Sequence, residues 1–470
     1  MRNAKISQYV LMPAWITMAF AALAGGVQAK DISTRYRSLA ELVASNAYIK
    51  AEQVPFEHVS EAVIDCQFYP GRKMRQIKVR FVSQVYRGKQ CPHEAIMCLP
   101  IGELSEVAKG TAALILGGNI LSNNKPELDW IEYVVVKLGV PCFVVKDSFD
   151  PKIYGARNKG ELMSFGNRAF YETGDPREVG YYALARIFSA AATVAGQLPE
   201  VRATRFITTG SSKGGMAALI ACGGDPRIVG SYPTAWNSGN IPEFTRLKGE
   251  RWGWNVKPKQ TGPAGMTATE VMKLFSTTHG QEYRRLFDPH QWHNLLEGKF
   301  VMPAVGTNDP LFHLMSDQYY YEDLVCKKAF LRVPNCPHGR TSPQHAMAWR
   351  FAVAAALLSR PVPIVKIEAR PEGDEVEVFA SLSNIGRVKR LVIHSTSDAT
   401  GDYRRAKWHT REITIPKDPS RLFRIARVKP PESGTRAVYL ELADHHELCD
   451  SIVHSNVIEI GQPGKHKLAQ

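Results

Sequence analysis

The stretch Arg205-Phe206-Ile207-Thr208-Thr209-Gly210-Ser211-Ser212-Lys213-Gly214-Gly215-Met216-Ala217-Ala218 decides the fold. A short β-branched run reads as a buried strand, and the small-residue run from Lys213 to Ala221 reads as a helix. Between them Gly210 to Gly214 fits G-x-S-x-G. A strand that turns this sharply into a helix thrusts the central Oγ above the sheet, and glycine two places to either side keeps Cβ atoms out of the turn. Ser212 is therefore the candidate nucleophile, and the helix N-terminus places its positive end under a developing oxyanion. A glycine-rich turn without chemistry is the bland alternative.

Outward from this stretch the rhythm is strand, helix, strand. Thr111 to Leu116 reads as a buried strand closed by Gly117-Gly118, Leu128 to Leu138 as a helix and Pro141 to Val145 as a second strand. Asp147 to Thr173 reads as irregular, and Glu178 to Leu198 as an amphipathic helix. Beyond the serine, Ile228 to Pro233 is a strand, and Asn237 to Gly298, rich in Trp, Pro and Gly, reads as a cap inserted above the sheet. Phe300 to Val305 and Ala329 to Val333 resume as strands around a helix from Gln318 to Val325, and a helix from Pro343 to Leu358 closes the unit. This predicts an α/β fold: an α/β-hydrolase-type, mostly parallel sheet with helices on both faces. Past Pro361 and Pro363, seven alternating runs between Ile364 and Ile460 predict a small β-sandwich.

A serine at its free pKa needs a base, which an acid must orient, and in an open α/β sheet both come from loops after later strands, acid before histidine. Asp309 follows the strand ending at Val305, and His338 follows the one ending at Val333. His345 is the reserve base. Asp317 or Asp288 could replace Asp309, which could instead form an Asx turn before Pro310. The oxyanion donors expected are the backbone N–H groups of Lys213 and of Gly118, in the Leu116-Gly117-Gly118-Asn119 loop.

The 470 residues carry 59 Lys and Arg against 45 Asp and Glu, a net charge of +14, with 44% apolar and 22% charged residues. That is too apolar for a disordered chain and too mixed for a fibrous one. No run of five basic residues occurs, so no nucleic-acid partner is expected. Arg2 and Lys5, an apolar stretch from Tyr9 to Ala24 and Val27-Gln28-Ala29 form a signal-peptide pattern, with cleavage after Ala29. The mature protein is then secreted or periplasmic, with no membrane insertion. Eight cysteines in an oxidising space suit disulfides, Cys91–Cys98 and Cys326–Cys336 being the local pairs. The domain plan is 1–29 signal peptide, 30–361 catalytic, 362–462 β-sandwich and 463–470 tail.

Weaker signals carry less. His290 and His293 stand one helical turn apart without a carboxylate partner, so no metal is expected, and phosphate-cradling glycine loops are missing, so no cofactor is expected. Tyr319, Tyr320, Tyr321, Trp252, Trp254 and Trp292 either line a pocket or pack the cap.

Thr209 to Gly215, Asp225 to Val229, Asp288-Pro289, Gly306 to Asp309, Leu331 to His338 and Asp402-Tyr403-Arg404-Arg405-Ala406-Lys407-Trp408 together resemble the PhoPQ-activated pathogenicity-related proteins, from about residue 50 to the end of the sandwich. The resemblance implies a secreted bacterial α/β-hydrolase domain with a C-terminal β domain, and carries nucleophile, acid and base onto Ser212, Asp309 and His338. One departure is the elbow: the family pattern is Ser-Lys-Arg-Gly-Trp, whereas Ser212-Lys213-Gly214-Gly215-Met216 is similar to secreted tripeptidyl aminopeptidases of the prolyl-oligopeptidase-like type. The expectation is an exported serine hydrolase acting on a small ester or peptide. A peptidase would hold a substrate ammonium with Asp147, Asp150, Glu161 or Glu172; the remaining alternative is a non-catalytic binding protein on a hydrolase scaffold.

Overall fold

The computed structural model describes residues 38–44, 54–117, 125–146, 151–256, 266–340 and 342–464. The signal-peptide pattern with Ala29, the Gly118 loop, Asp147, Asp150 and most of the tail lie outside the described residues.

Eleven strands build the main sheet: β1 (Phe56–Asp65), β2 (Lys73–Tyr86), β3 (Lys89–Pro100), β4 (Thr111–Gly117), β5 (Cys142–Lys146), β6 (Arg205–Ser211), β7 (Ile228–Thr234), β8 (Phe300–Val301), β9 (Ala304–Gly306), β10 (Lys327–Lys328) and β11 (Leu331–Val333). They lie in the order β1-β2-β3-β5-β4-β6-β7-β8-β10, with β9 between β7 and β11. Pairings from β5 onward are parallel, while β1, β2 and β3 join antiparallel. The order doubles back at β4 and then runs to β11, the arrangement of an α/β-hydrolase sheet.

The helices are α1 (Leu39–Ala44), α2 (Lys125–Val136), α3 (Lys159–Thr173), α4 (Gly180–Gln197), α5 (Lys213–Gly224), α6 (Ile241–Trp252), α7 (Ala268–Phe275), α8 (Thr278–Phe287) and α9 (Pro343–Leu357). On one face α4 and α5 pack side by side on the sheet, with α1 against both; on the other, α9 packs with α2. The helix α9 is apolar nearly all round, with Trp349, Phe351, Val353 and Leu357 all buried. Such a helix needs cover on both sides. The sheet gives one, and the C-terminal strands give the other, since α9 also contacts β18 (Ser451–His454).

The remaining strands are antiparallel: β12 (Ile364–Glu372), β13 (Glu375–Ser383) and β16 (Phe423–Val428) in one sheet, and β14 (Arg387–Asp398), β15 (His409–Ile413), β17 (Gly434–His445), β18 and β19 (Ile458–Gln462) in another. Their inner faces, Ile367, Val378 and Leu382 against Leu391, Leu440 and Ile452, share one core with Trp130, Tyr232 and Trp349 of the hydrolase layer.

Several expectations change. The segment to Thr173 holds α3, N-capped by Asn158 accepting from Glu161 N–H. The cap holds α6, α7 and α8, and the helix expected from Gln318 is a 3-10 turn over Leu314–Tyr319. The run from Ser451 to Ile460 is two strands, because the Ser455 carbonyl accepts from Arg332 and the Asn456 amide pairs with the Ile367 backbone. All eight cysteines are free, so the disulfides expected are not formed. Cys91 and Cys98 lie seven residues apart on β3, roughly 23 Å at strand rise and far beyond bridging reach. Cys326 and Cys336 flank opposite ends of the β10 and β11 run. Cys142 and Cys222 are fully buried small apolar residues.

Candidate active site

Ser212 sits between β6 and α5 at φ 55° and ψ −115°, a left-handed turn for a residue with a Cβ. The neighbouring backbone holds it there: Ser212 N–H donates to the Thr234 carbonyl at 2.8 Å, and Thr234 Oγ1 donates to the Gly210 carbonyl at 2.9 Å. A Cβ on Gly210 would stand 2.5 Å from the Gly214 oxygen, and one on Gly215 would stand 2.8 Å from the Thr234 oxygen. Gly214 has only Leu116 Cδ2 at 3.9 Å, so the crowded positions are 210 and 215 rather than the pair two places from the serine. Leu116, one residue before the end of β4, thus lies near the elbow. Ser212 is half-buried.

Asp309 and His338 come from the loops after β9 and β11, neighbours in the sheet. The loops are packed tightly enough that a Cβ on Gly306 would collide with the Cys336 carbonyl. Asp309 is buried and His338 half-buried, and Asp309 Oδ2 lies 2.8 Å from His338 Nδ1. The other carboxylate oxygen accepts N–H bonds from Leu311 at 2.7 Å and Phe312 at 3.1 Å. The Asx turn and the histidine partnership thus coexist, one oxygen to each. An N–H at Nδ1 leaves the lone pair at Nε2, the tautomer a general base needs. Among the described residues no hydrogen bond joins the Ser212 hydroxyl to this imidazole, and such bonds tighten on substrate binding in many hydrolases.

The sequence reading missed what steadies these two loops. Asn308 Nδ2 donates to the carbonyls of Tyr403 at 2.9 Å and Ala406 at 2.7 Å. Asn335 Nδ2 donates to the Trp408 carbonyl at 2.9 Å, and Trp408 N–H donates back to Asn335 Oδ1 at 2.8 Å. The segment between β14 and β15 therefore grips both the Asp309 loop and the His338 loop. Its signal in the sequence was the Asp402 to Trp408 string, legible as a motif but not as a clasp.

The reserve candidates have other work. His345 is buried with its ring 6.5 Å from Trp130, and burial pushes its pKa down to about 4. Asp288 accepts from the N–H groups of Asn240 and Ile241 at the start of α6, and Asp317 pairs with Arg332. Tyr320 packs on Trp236 and Tyr321 on Phe330, while Trp252 and Trp292 are buried in the cap. Glu161 pairs with Arg157. His293 Nδ1 bonds the His290 carbonyl, and His290 pairs with Asp323.

His394, Glu441 and His454 lie close enough to share an ion, each Nε2 being 3.3 Å from Glu441 Oε2. The tautomer argues otherwise. Arg332 N–H donates to His454 Nδ1 at 3.3 Å, so Nε2 carries the proton and donates to the carboxylate. A histidine ligand works the other way round, with its lone pair on the metal and its second N–H given away. Gln344 Nε2 at 2.9 Å and Arg390 complete a set of four donors. Burial alone would raise the Glu441 pKa, but the two histidine hydrogen bonds outweigh it and hold the carboxyl well below its usual range. The cluster is a buried polar tie between β14, β17, β18 and α9, and its residues do not fit a metal.

An eleven-stranded sheet of this order, a strained serine at the strand-to-helix turn and an aspartate–histidine pair on the loops after two later strands define a protein of the α/β-hydrolase fold. A family model for the PhoPQ-activated pathogenicity-related protein matches residues 51–404, three quarters of the chain, and the protein belongs to that family. The match ends within the Asp402 to Trp408 string, short of the sandwich's end. No curated protein sequence matches the chain. Among solved structures it is similar to acetyl xylan esterase 1 from Thermoanaerobacterium sp. JW/SL YS485, at 16% identity and TM-score 0.42 over 64% of this chain and 87% of that one. A glucuronoyl esterase from Solibacter usitatus gives 14% identity and TM-score 0.43 over 67% and 91%. The acetyl xylan esterase from Paenibacillus sp. R4 gives 18% and 0.42 over 64% and 90%.

Proposed function

We propose that the protein is an exported serine hydrolase that cleaves an ester through an acyl-enzyme. Ser212 Oγ attacks the carbonyl carbon while His338 Nε2 takes its proton. Asp309 holds the imidazole in the required tautomer and stabilises the imidazolium that forms. The oxyanion sits at the start of α5, served by the N–H of Lys213 and by that of Gly118, the residue that follows β4 in the sequence. The imidazolium then returns the proton to the leaving alcohol, and a water deprotonated by the same nitrogen releases the acid. The observation that carries this reading is the 2.8 Å Asp309–His338 contact on the loops after β9 and β11, at the same carboxyl end of the parallel strands as a serine held at positive φ. No residue of the reaction depends on a cofactor.

The catalytic part is residues 30–361, with the β-sandwich of 362–462 supplying the clasp on the two loops. Export rests on the Arg2 to Ala29 pattern. Of the residues offered for an amino-terminal ammonium, Glu161 is already neutralised by Arg157 and so lends a peptidase no support. Short-chain p-nitrophenyl esters should be hydrolysed, aminoacyl anilides far less, and Ser212→Ala should abolish both. Retention of esterase activity by that variant would reject the assignment.

A further inference from the structure

Resting on the hydrolase reading, we propose that Lys248 is the anion-binding end of a substrate subsite, so that the enzyme selects esters carrying a carboxylate at the far end of an apolar body.

The helix α6 sets Phe244, Lys248 and Trp252 on one face at four-residue spacing. Lys248 Nζ lies 4.9 Å from the Phe244 ring centre and 5.1 Å from that of Trp252. The Phe244 ring stacks on Phe312 at 6.0 Å and 26°, and Phe312 stacks on His338 at 6.0 Å and 23°. A row of flat apolar surfaces thus leads from the reacting imidazole to an ammonium. Phe244, Phe312, Lys248 and His338 are all half-buried, so the row borders open space.

Among the described residues Lys248 forms no ion pair, while its charged neighbours do. Around it Arg246 pairs with Glu243 and Glu250, Arg251 with Glu459, and Arg404 with Asp402. Among the described residues no carboxylate lies within ion-pair distance of Lys248. Asp309 is close enough to be felt, but both its oxygens are engaged. Burial, and then the charge of Arg404, push Lys248 down to about 8, with Asp309 opposing. A desolvated cation costs free energy unless paired, and two aromatic faces compensate it only in part. A carboxylate arriving with the substrate completes the pair, while the Phe312 and Phe244 rings take the apolar body before it.

The test uses p-nitrophenyl monoesters of adipic and suberic acid against the neutral p-nitrophenyl hexanoate and octanoate. For carboxylates on the alcohol side, 4-acetoxybenzoate is set against its methyl ester. Wild type should favour the acidic member of at least one pair. Lys248→Met should cut the acidic-to-neutral ratio of kcat/KM about tenfold or more, the loss expected for a charged hydrogen bond, and Lys248→Arg should keep most of it. A ratio unchanged in Lys248→Met, or a wild-type preference for the neutral ester in every pair, overturns the subsite. Cleavage of neutral esters without acidic preference refutes the subsite alone. Failure to cleave any ester, with Ser212 inert to a fluorophosphonate, refutes the hydrolase reading as well.

Discussion

Replacing Asn335 tests whether the C-terminal segment steadies His338, the proposed base. The side chain exchanges two hydrogen bonds with the Trp408 backbone, at 2.9 and 2.8 Å, three residues before His338. At about 0.5–1.5 kcal/mol net each, their loss costs roughly 1–3 kcal/mol. Asn335 also stands at φ 53°, where alanine pays about 1–2 kcal/mol and glycine does not. Asn335→Ala should therefore lower stability by about 2–5 kcal/mol and Asn335→Gly by about 1–2 kcal/mol less, measured as urea midpoints at constant slope. Because the loop carries the base, kcat/KM on a p-nitrophenyl ester should fall about tenfold in both variants under conditions where both stay folded. An Asn335→Ala midpoint within 0.5 kcal/mol of the parent, with kcat/KM unaltered, would refute the clasp. Equal stability of the two variants would refute the backbone strain.

Three further outcomes are expected. Gly210→Ala should lose about 1–3 kcal/mol of stability and most activity, since its Cβ would stand 2.5 Å from the Gly214 oxygen, whereas Gly214→Ala should fold normally; thermal melts of the two decide it. Asp309→Asn should lower kcat by about 10³–10⁴ by favouring the wrong imidazole tautomer, while the KM for a neutral ester changes little. His313 and His345 are both held at about 4 by burial, below the 6.5 of an exposed histidine. For a base with a depressed folded pKa, the unfolded chain binds the extra proton as pH falls below 6.5, so stability is present above that pH and lost between about 6.5 and 4. The loss is about 2 kcal/mol per histidine at pH 5, and a His345→Gln melt should show a shallower decline through that window than the parent.

What was legible in the sequence followed from local rules. The strands β4 and β6 are short β-branched or apolar runs, one ended by glycine and the other followed by a small-residue helix, and the loops after β9 and β11 are Asn- and Pro-rich punctuation around Asp309 and His338. What was not legible depended on distant partners. Asn335 meets Trp408 across 73 residues, so neither string alone says that it holds the other. In α6 the apolar stripe is interrupted by Lys248, and the cap's Pro and Gly content masked its helices. The 3-10 turn at Leu314–Tyr319 displaced an expected helix because Asp317 turns inward to Arg332. The even number of cysteines suggested bridges, and for Cys91 and Cys98 strand geometry forbids one.

The most direct measurement is the mass of the peptide containing Ser212 after treatment of the purified protein with a fluorophosphonate. The account predicts a stoichiometric adduct on Ser212, absent at Ser211, lost in His338→Ala and slowed in Asp309→Asn. An unmodified Ser212 in a folded protein, or an adduct on another residue, would contradict it.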